Sequence, residues 1–122
     1  MKIIPKNDQQ TPLVTDSGEI IFELVGLAVS GEHNPNHSLA QIVIPPGKSS
    51  SLHYHKISQE TYFILEGEGK IIVDEEKYTL HEGQACLIEP RETHQISNVG
   101  VIDLVFLAVC VPAWVPDDSF EV

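Results

Sequence analysis

A chain of 122 residues is long enough to bury a core of its own and too short for two domains of ordinary size. Seven Lys and Arg against eighteen Asp and Glu give a net charge of -11, so nucleic-acid phosphates and anionic membrane surfaces are repelled over most of the molecule and are excluded as partners. An apolar fraction of 42%, with eight Gly and eight Pro scattered along the chain, fits a globular fold rather than a disordered one.

Met1 is followed by Lys2, Ile3, Ile4 and Pro5 and then by polar residues, with no apolar run of the signal-peptide kind. Cys86 and Cys110 lack CxxC spacing and read as buried reduced thiols. A cytoplasmic location is the expectation from both. Residues 1–18 form an N-terminal arm, residues 19–111 a barrel core and residues 112–122 an extended tail of one domain.

Helical periodicity is absent, whereas short runs rich in Ile, Val, Tyr and Phe recur between turn residues. In chain order the predicted strands are Glu19 to Val25, Leu39 to Ile44, Leu52 to His55, Glu60 to Leu65, Lys70 to Val73, Lys77 to Leu80, Ala85 to Ile88, His94 to Ser97 and Ile102 to Val111. The loop from Gly31 to His37 carries two histidines, His33 and His37, and is read as surface rather than as a second metal site. Turns fall at Pro45-Pro46-Gly47, Glu66-Gly67-Glu68-Gly69, Asp74-Glu75-Glu76, Glu82-Gly83, Glu89-Pro90 and Asn98-Val99-Gly100. The runs flanking Gly67 and Gly69 are expected to pair as a hairpin. The apolar stretch Val101 to Ala113 holds Asp103 and Pro112 and is shorter than the roughly 20 residues of a membrane span, so it reads as a buried strand. Trp114, between Pro112 and Pro116, reads as a packing anchor. Many short strands at this spacing predict an all-β, antiparallel barrel or sandwich.

His53 and His55 are two apart on a predicted strand, which puts both imidazoles on one face, about 6–7 Å apart along the chain. Glu60 has the wrong parity for a continuous strand, but a turn over Lys56-Ile57-Ser58-Gln59 resets the direction and lets the carboxylate rejoin the pair. His94 opens a later strand that can face the same interior of a closed barrel. Tyr62 shares the parity of Glu60 and is the substrate-side candidate, while Asn98 is read as a turn residue that satisfies backbone groups.

Gly47, His53, His55, Glu60 and Gly67, separated by five, one, four and six residues, reproduce the first motif of the cupin superfamily. Gly83, His94 and Asn98 are similar to its second motif, with Pro90 displaced by one and Arg91 where a glycine is usual. The resemblance implies a double-sheet, jelly-roll β-barrel with the site inside, Gly47, Gly67 and Gly83 at turns of positive φ, and His53, His55, Glu60 and His94 as ligands of one ion. Three imidazoles and a carboxylate suit a divalent transition metal, Fe, Mn, Ni, Zn or Cu, better than Ca or Mg. An octahedral ion with four such ligands keeps two positions for small molecules.

The resemblance implies fold and metal rather than a reaction. The expectation is a metal-dependent enzyme acting on a small oxygen-rich molecule, dioxygenase-like or sugar isomerase- or epimerase-like. The alternative is a non-catalytic module that binds a small ligand or metal, favoured by the lack of a general acid or base outside the ligand set. Ile3 and Ile4 on the arm, Trp114 on the tail and strands with apolar residues on both faces predict a homodimer.

Overall fold

The computed structural model describes residues 1, 3–6, 11–27 and 35–122. Of the loop with two histidines, His33 lies outside the described residues and His37 within them. The strands in chain order are β1 Leu13–Val14, β2 Ile20–Val25, β3 Ser38–Ile44, β4 His53–Tyr54, β5 Gln59–Glu66, β6 Gly69–Val73, β7 Glu76–Leu80, β8 Ala85–Ile88, β9 His94–Asn98, β10 Leu104–Val111 and β11 Phe120–Glu121. A 3-10 turn at Pro116–Asp118 precedes β11. Among the described residues no helix is long and apolar enough to cross a membrane.

The strands form two antiparallel sheets, ordered β1-β2-β3-β10-β5-β8 and β11-β4-β9-β6-β7. They pack as the expected jelly-roll β-barrel. Nine of these strands coincide, within one or two residues at each end, with the runs read from the sequence. The shared reason is period-two alternation: β10 buries Leu104, Phe106, Ala108 and Cys110 and turns Val105, Leu107, Val109 and Val111 outward. Val101 and Ile102 are left outside β10, 92% and 51% exposed, because the turn after Asn98 precedes the strand.

The hairpin expected between the runs at Glu60 to Leu65 and Lys70 to Val73 does not form. β5 pairs with β10 and β8, whereas β6 pairs with β7 and β9 in the other sheet. Gly67 carries the chain from one sheet to the other at φ +81°, and a Cβ there would lie 2.7 Å from the Asp103 carbonyl oxygen. The hairpin that does form is β6–β7, turning on Asp74 and Glu75, both at positive φ, the signature of a primed turn.

Register places the site. Reading across β3, β10 and β5, the inward side chains form rungs: Ile42, Phe106 and Ile64, then Ala40, Ala108 and Tyr62, then Ser38, Cys110 and Glu60. The first rung belongs to a buried cluster with Ile44, Ile71, Ile88, Ile96 and Leu104 that closes one end of the barrel. Burying each of these side chains contributes about 1.5–3 kcal/mol. The later rungs exchange bulk for small and polar side chains, and a cavity opens there.

Candidate metal centre

The four residues predicted as ligands meet. His53 and His94 face one another directly across β4 and β9, and Glu60 enters from the opposite sheet. One ligand atom of each of His53, His55, Glu60 and His94 lies within 4.8 Å of the others. All four are buried, with His94 wholly so. The reset of direction between His55 and Glu60 is a sheet-to-sheet crossing, since β4 and β5 belong to different sheets.

The imidazoles are held in one orientation by the backbone. Nδ1 of His53 lies 2.9 Å from the Ser51 carbonyl oxygen, that of His55 2.7 Å from the Asp118 carbonyl, and that of His94 2.9 Å from the Glu92 carbonyl. A carbonyl only accepts, so each Nδ1 donates its hydrogen and each neutral ring presents an Nε2 lone pair. Those lone pairs converge on a carboxylate: Nε2 of His94 is 3.1 Å from Glu60 Oε1. Nε2 of His55 is 3.5 Å from the same oxygen, outside good hydrogen-bond geometry, and is a buried atom with no hydrogen-bond partner. Acceptors brought together out of water need a positive charge among them. Nδ1 fixed by carbonyls with Nε2 free is the outer-shell arrangement of metal-ligating histidines, and the donor set fits a divalent transition ion.

Charges in the cluster are strongly coupled. Burial would raise the Glu60 carboxyl, but the nearby His55 and His94 imidazoles hold it far below the usual carboxylate range. Burial lowers His53 to about 4, reinforced by His94, so its lone pair is free at neutral pH. His55 is raised: burial works against the shift, and the Glu60 carboxylate and Asp118 outweigh it.

Three further residues support the cluster, of which Asp118 carried no signal of its own in the sequence. The thiol of Cys110 donates to Glu60 Oε2 at 3.0 Å, leaving Oε1 toward the imidazoles. Asp118, in the 3-10 turn, accepts from the backbone N–H groups of Lys56, Ile57 and Ser58 and so builds the turn between His55 and Glu60. Arg91 adopts φ +72°, the conformation that the resemblance assigns to a glycine, and its N–H donates to the His55 carbonyl at 2.6 Å. The second motif therefore keeps its turn despite the substitution, at a local cost of about 1–2 kcal/mol.

A cavity of about 410 Å³ lies beside the cluster. Tyr62 lines it, 2% exposed, with its ring edge toward His94 at 6.0 Å between centroids. Burial, with Glu60 and Glu19 nearby, pushes the Tyr62 phenol well above its ordinary value. Trp114, read from the sequence as a packing anchor, lines this cavity too. So does Glu19, whose carboxyl is raised to about 7, mainly by burial and secondarily by Glu60. Asn98 serves the backbone, donating to the carbonyls of Ile44 and Ile102 and accepting from the Gly100 N–H.

Known proteins resemble this chain in sequence and fold. The cupin domain family matches residues 40–110, which contain all four cluster residues. An uncharacterized protein of Methanocaldococcus jannaschii is 35% identical over 98% of this chain and 94% of its own. An oxalate-binding protein of Thermotoga maritima is 36% identical over 70% of each chain. The crystal structure of a Thermotoga maritima protein described as a predicted oxalate decarboxylase superposes with a TM-score of 0.76, covering 91% of this chain and 99% of that one at 27% identity. On the family match and on these relatives, the chain is a member of the cupin domain family.

Proposed function

We propose that His53, His55, His94 and Glu60 hold one divalent transition-metal ion, and that the chain is a metal-dependent enzyme acting on a small oxygen-rich molecule in the adjoining cavity. The observation that carries this reading is the set of three Nδ1-to-carbonyl locks that turn three Nε2 lone pairs toward one carboxylate. A bound ion supplies Lewis-acid chemistry there. The chain supplies the rest: Tyr62 and Trp114 border the substrate space, and Glu19 is a carboxyl able to hold or release a proton near neutral pH. Glu19 answers the lack of a general acid or base that had favoured a passive module. The reaction class in this reading is dioxygenase-like, with isomerase- or epimerase-like chemistry next.

A second reading, a non-catalytic small-ligand binder, is favoured by the oxalate-binding name of the Thermotoga maritima relative. Turnover of a bound molecule separates the two.

The metal assignment is tested by elemental analysis of protein purified without added metal. One ion per chain is the expected result, and His53→Ala, His55→Ala and His94→Ala should each lose most of it while remaining folded, because the apolar cluster stands apart from the ion. Glu60→Gln keeps the shape and loses the charge, and should bind more weakly than wild type but better than any of the three. Full occupancy in all three alanine variants would refute the assignment.

A homodimer through the outer face of the six-stranded sheet belongs to the same reading. Phe63, Leu65 and Leu87 are 39%, 43% and 57% exposed there, and Phe63 pairs with Leu107 in register. Trp114 faces the cavity and is not part of this surface. Light scattering should give twice 13.5 kDa, falling toward the monomer in Phe63→Glu; a monomeric wild type would exclude the dimer. Free Cys86 and Cys110 accord with a reducing, cytoplasmic setting.

A further inference from the structure

The space beside the cluster has a charge that the oxalate relatives do not lead one to expect. Its walls include Glu19, Glu23 and Glu121 in addition to Glu60, and none of the described Lys or Arg residues lines it. The chain has only seven basic residues. Lys6 sits over the Phe22 ring at 4.5 Å, and Phe22 does not line the cavity although Ile21 and Glu23 on either side do. Lys56 sits over the Phe120 ring at 4.4 Å. Glu19 is 7% exposed, and its backbone groups are bonded to Thr15. Its carboxyl borders the cavity and has no hydrogen-bond partner among the described residues. Leu13, Ile21, Ala40 and Trp114 make much of the remaining wall apolar.

We infer that the cavity takes an uncharged molecule carrying neighbouring hydroxyl groups on an apolar body, and discriminates against dicarboxylates. The inference rests on the metal reading above. Of the two charges on a divalent ion, Glu60 cancels one, and every further ionised carboxylate on the wall removes more of the attraction for an anion. A dicarboxylate would bring two negative charges beside the buried Glu19 and Glu60, where charges are weakly screened, into a space that no guanidinium or ammonium of the described residues lines. Hydroxyl groups are suited to the same walls: they chelate an ion and donate to the Glu19 carboxyl at the cavity wall. The apolar body then lies against Ile21, Ala40 and Trp114.

The test is calorimetric titration of the full chain, loaded with the divalent ion that elemental analysis finds in it, using catechol and oxalate as probes at neutral pH. Catechol is uncharged there and oxalate is a dianion. Catechol should bind at least about tenfold more tightly. Glu19→Gln, which keeps size but removes the charge and one acceptor oxygen, should raise oxalate affinity by about threefold or more and weaken catechol, whose hydroxyl groups donate to that carboxyl. If Glu19→Gln fails to fold, the wild-type preference decides alone. Oxalate bound as tightly as catechol, no binding of catechol, or an oxalate affinity indifferent to Glu19→Gln would each overturn the inference. A chain that holds no ion overturns the metal assignment and this inference together; a chain that holds one ion and prefers oxalate overturns this inference only.

Discussion

Asp118→Ala should lower stability by about 2–4 kcal/mol and weaken metal binding about 10–100-fold, although Asp118 touches no ion and lies 58 residues after Glu60 in the chain. Its carboxylate accepts from Lys56 and Ile57 through Oδ1 and from Ile57 and Ser58 through Oδ2, at 2.8–3.2 Å. Ser58 is buried at 3% exposure, so its N–H cannot turn to water when the acceptor is removed. Burial alone would raise the Asp118 carboxyl, and these backbone donors more than offset it and hold it below its ordinary value. A depressed carboxylate stabilises the fold at neutral pH and loses that contribution as pH falls through its folded value. The link to the proposed metal site runs through the same residue's carbonyl, which accepts from His55 Nδ1. Removing the side chain frees the 3-10 turn, and with it the acceptor that aims His55. Thermal unfolding and metal titration of Asp118→Ala and Asp118→Asn measure the two effects. Asn should not rescue, because its amide nitrogen would confront backbone N–H groups. An unchanged melting temperature and metal affinity in Asp118→Ala would show that the turn between His55 and Glu60 holds itself.

How this coupling escaped the sequence reading follows from the physics of short-range pattern. Strands such as β10 announce themselves, because burial on one face imposes alternation on neighbouring residues. The four-residue cluster was legible because its spacing is a property of one local crossing, from His53 to Glu60, plus a single histidine. Leu13–Val14 and Phe120–Glu121 are two residues each, too short for any period to show, yet β11 adds an edge to β4 and sets Phe120 against Tyr54 at 5.3 Å between ring centroids. The Gly67 to Gly69 turn has the residues of a hairpin and serves a crossing instead. Nothing in its composition separates the two outcomes, which turn on long-range pairing: β10 and β8 occupy both edges of β5. Cys110 illustrates the remaining gap: it read as a buried thiol, which it is, but its role comes from register, since it shares a rung with Glu60. Ala40 and Ala108 are the same kind of case. Each is an unremarkable small residue in sequence, and paired across β3 and β10 they leave the space that Tyr62, His53 and His55 line.

Glu19→Gln should change the pH dependence of stability in the metal-free protein by about 3 kcal/mol. The Glu19 carboxyl rises from 4.5 to about 7 in the folded chain, first through burial and then through the nearby charge of Glu60. Between those values the folded state holds a proton that the unfolded chain has released, so the folded state binds more protons and stability falls as pH rises. Below about 4.5 both states are protonated and the group costs nothing; above about 7 both are ionised and the full penalty is present. A shift of this size corresponds to about 3 kcal/mol at 1.36 kcal/mol per pH unit. Glutamine carries no proton to lose, and its variant should gain on wild type progressively across this window while matching it at acid pH. Urea unfolding of both proteins near pH 4.5 and near pH 8 measures the difference directly. Adding the divalent ion should shrink it, because a cation beside Glu60 removes the repulsion that helps to keep Glu19 protonated. By linkage, protonation of Glu19 should weaken metal binding by the same factor. A stability difference between the two proteins that stays constant with pH would mean that Glu19 titrates in the fold as it does in the unfolded chain, and the proton-transfer role proposed for it would fall with that result.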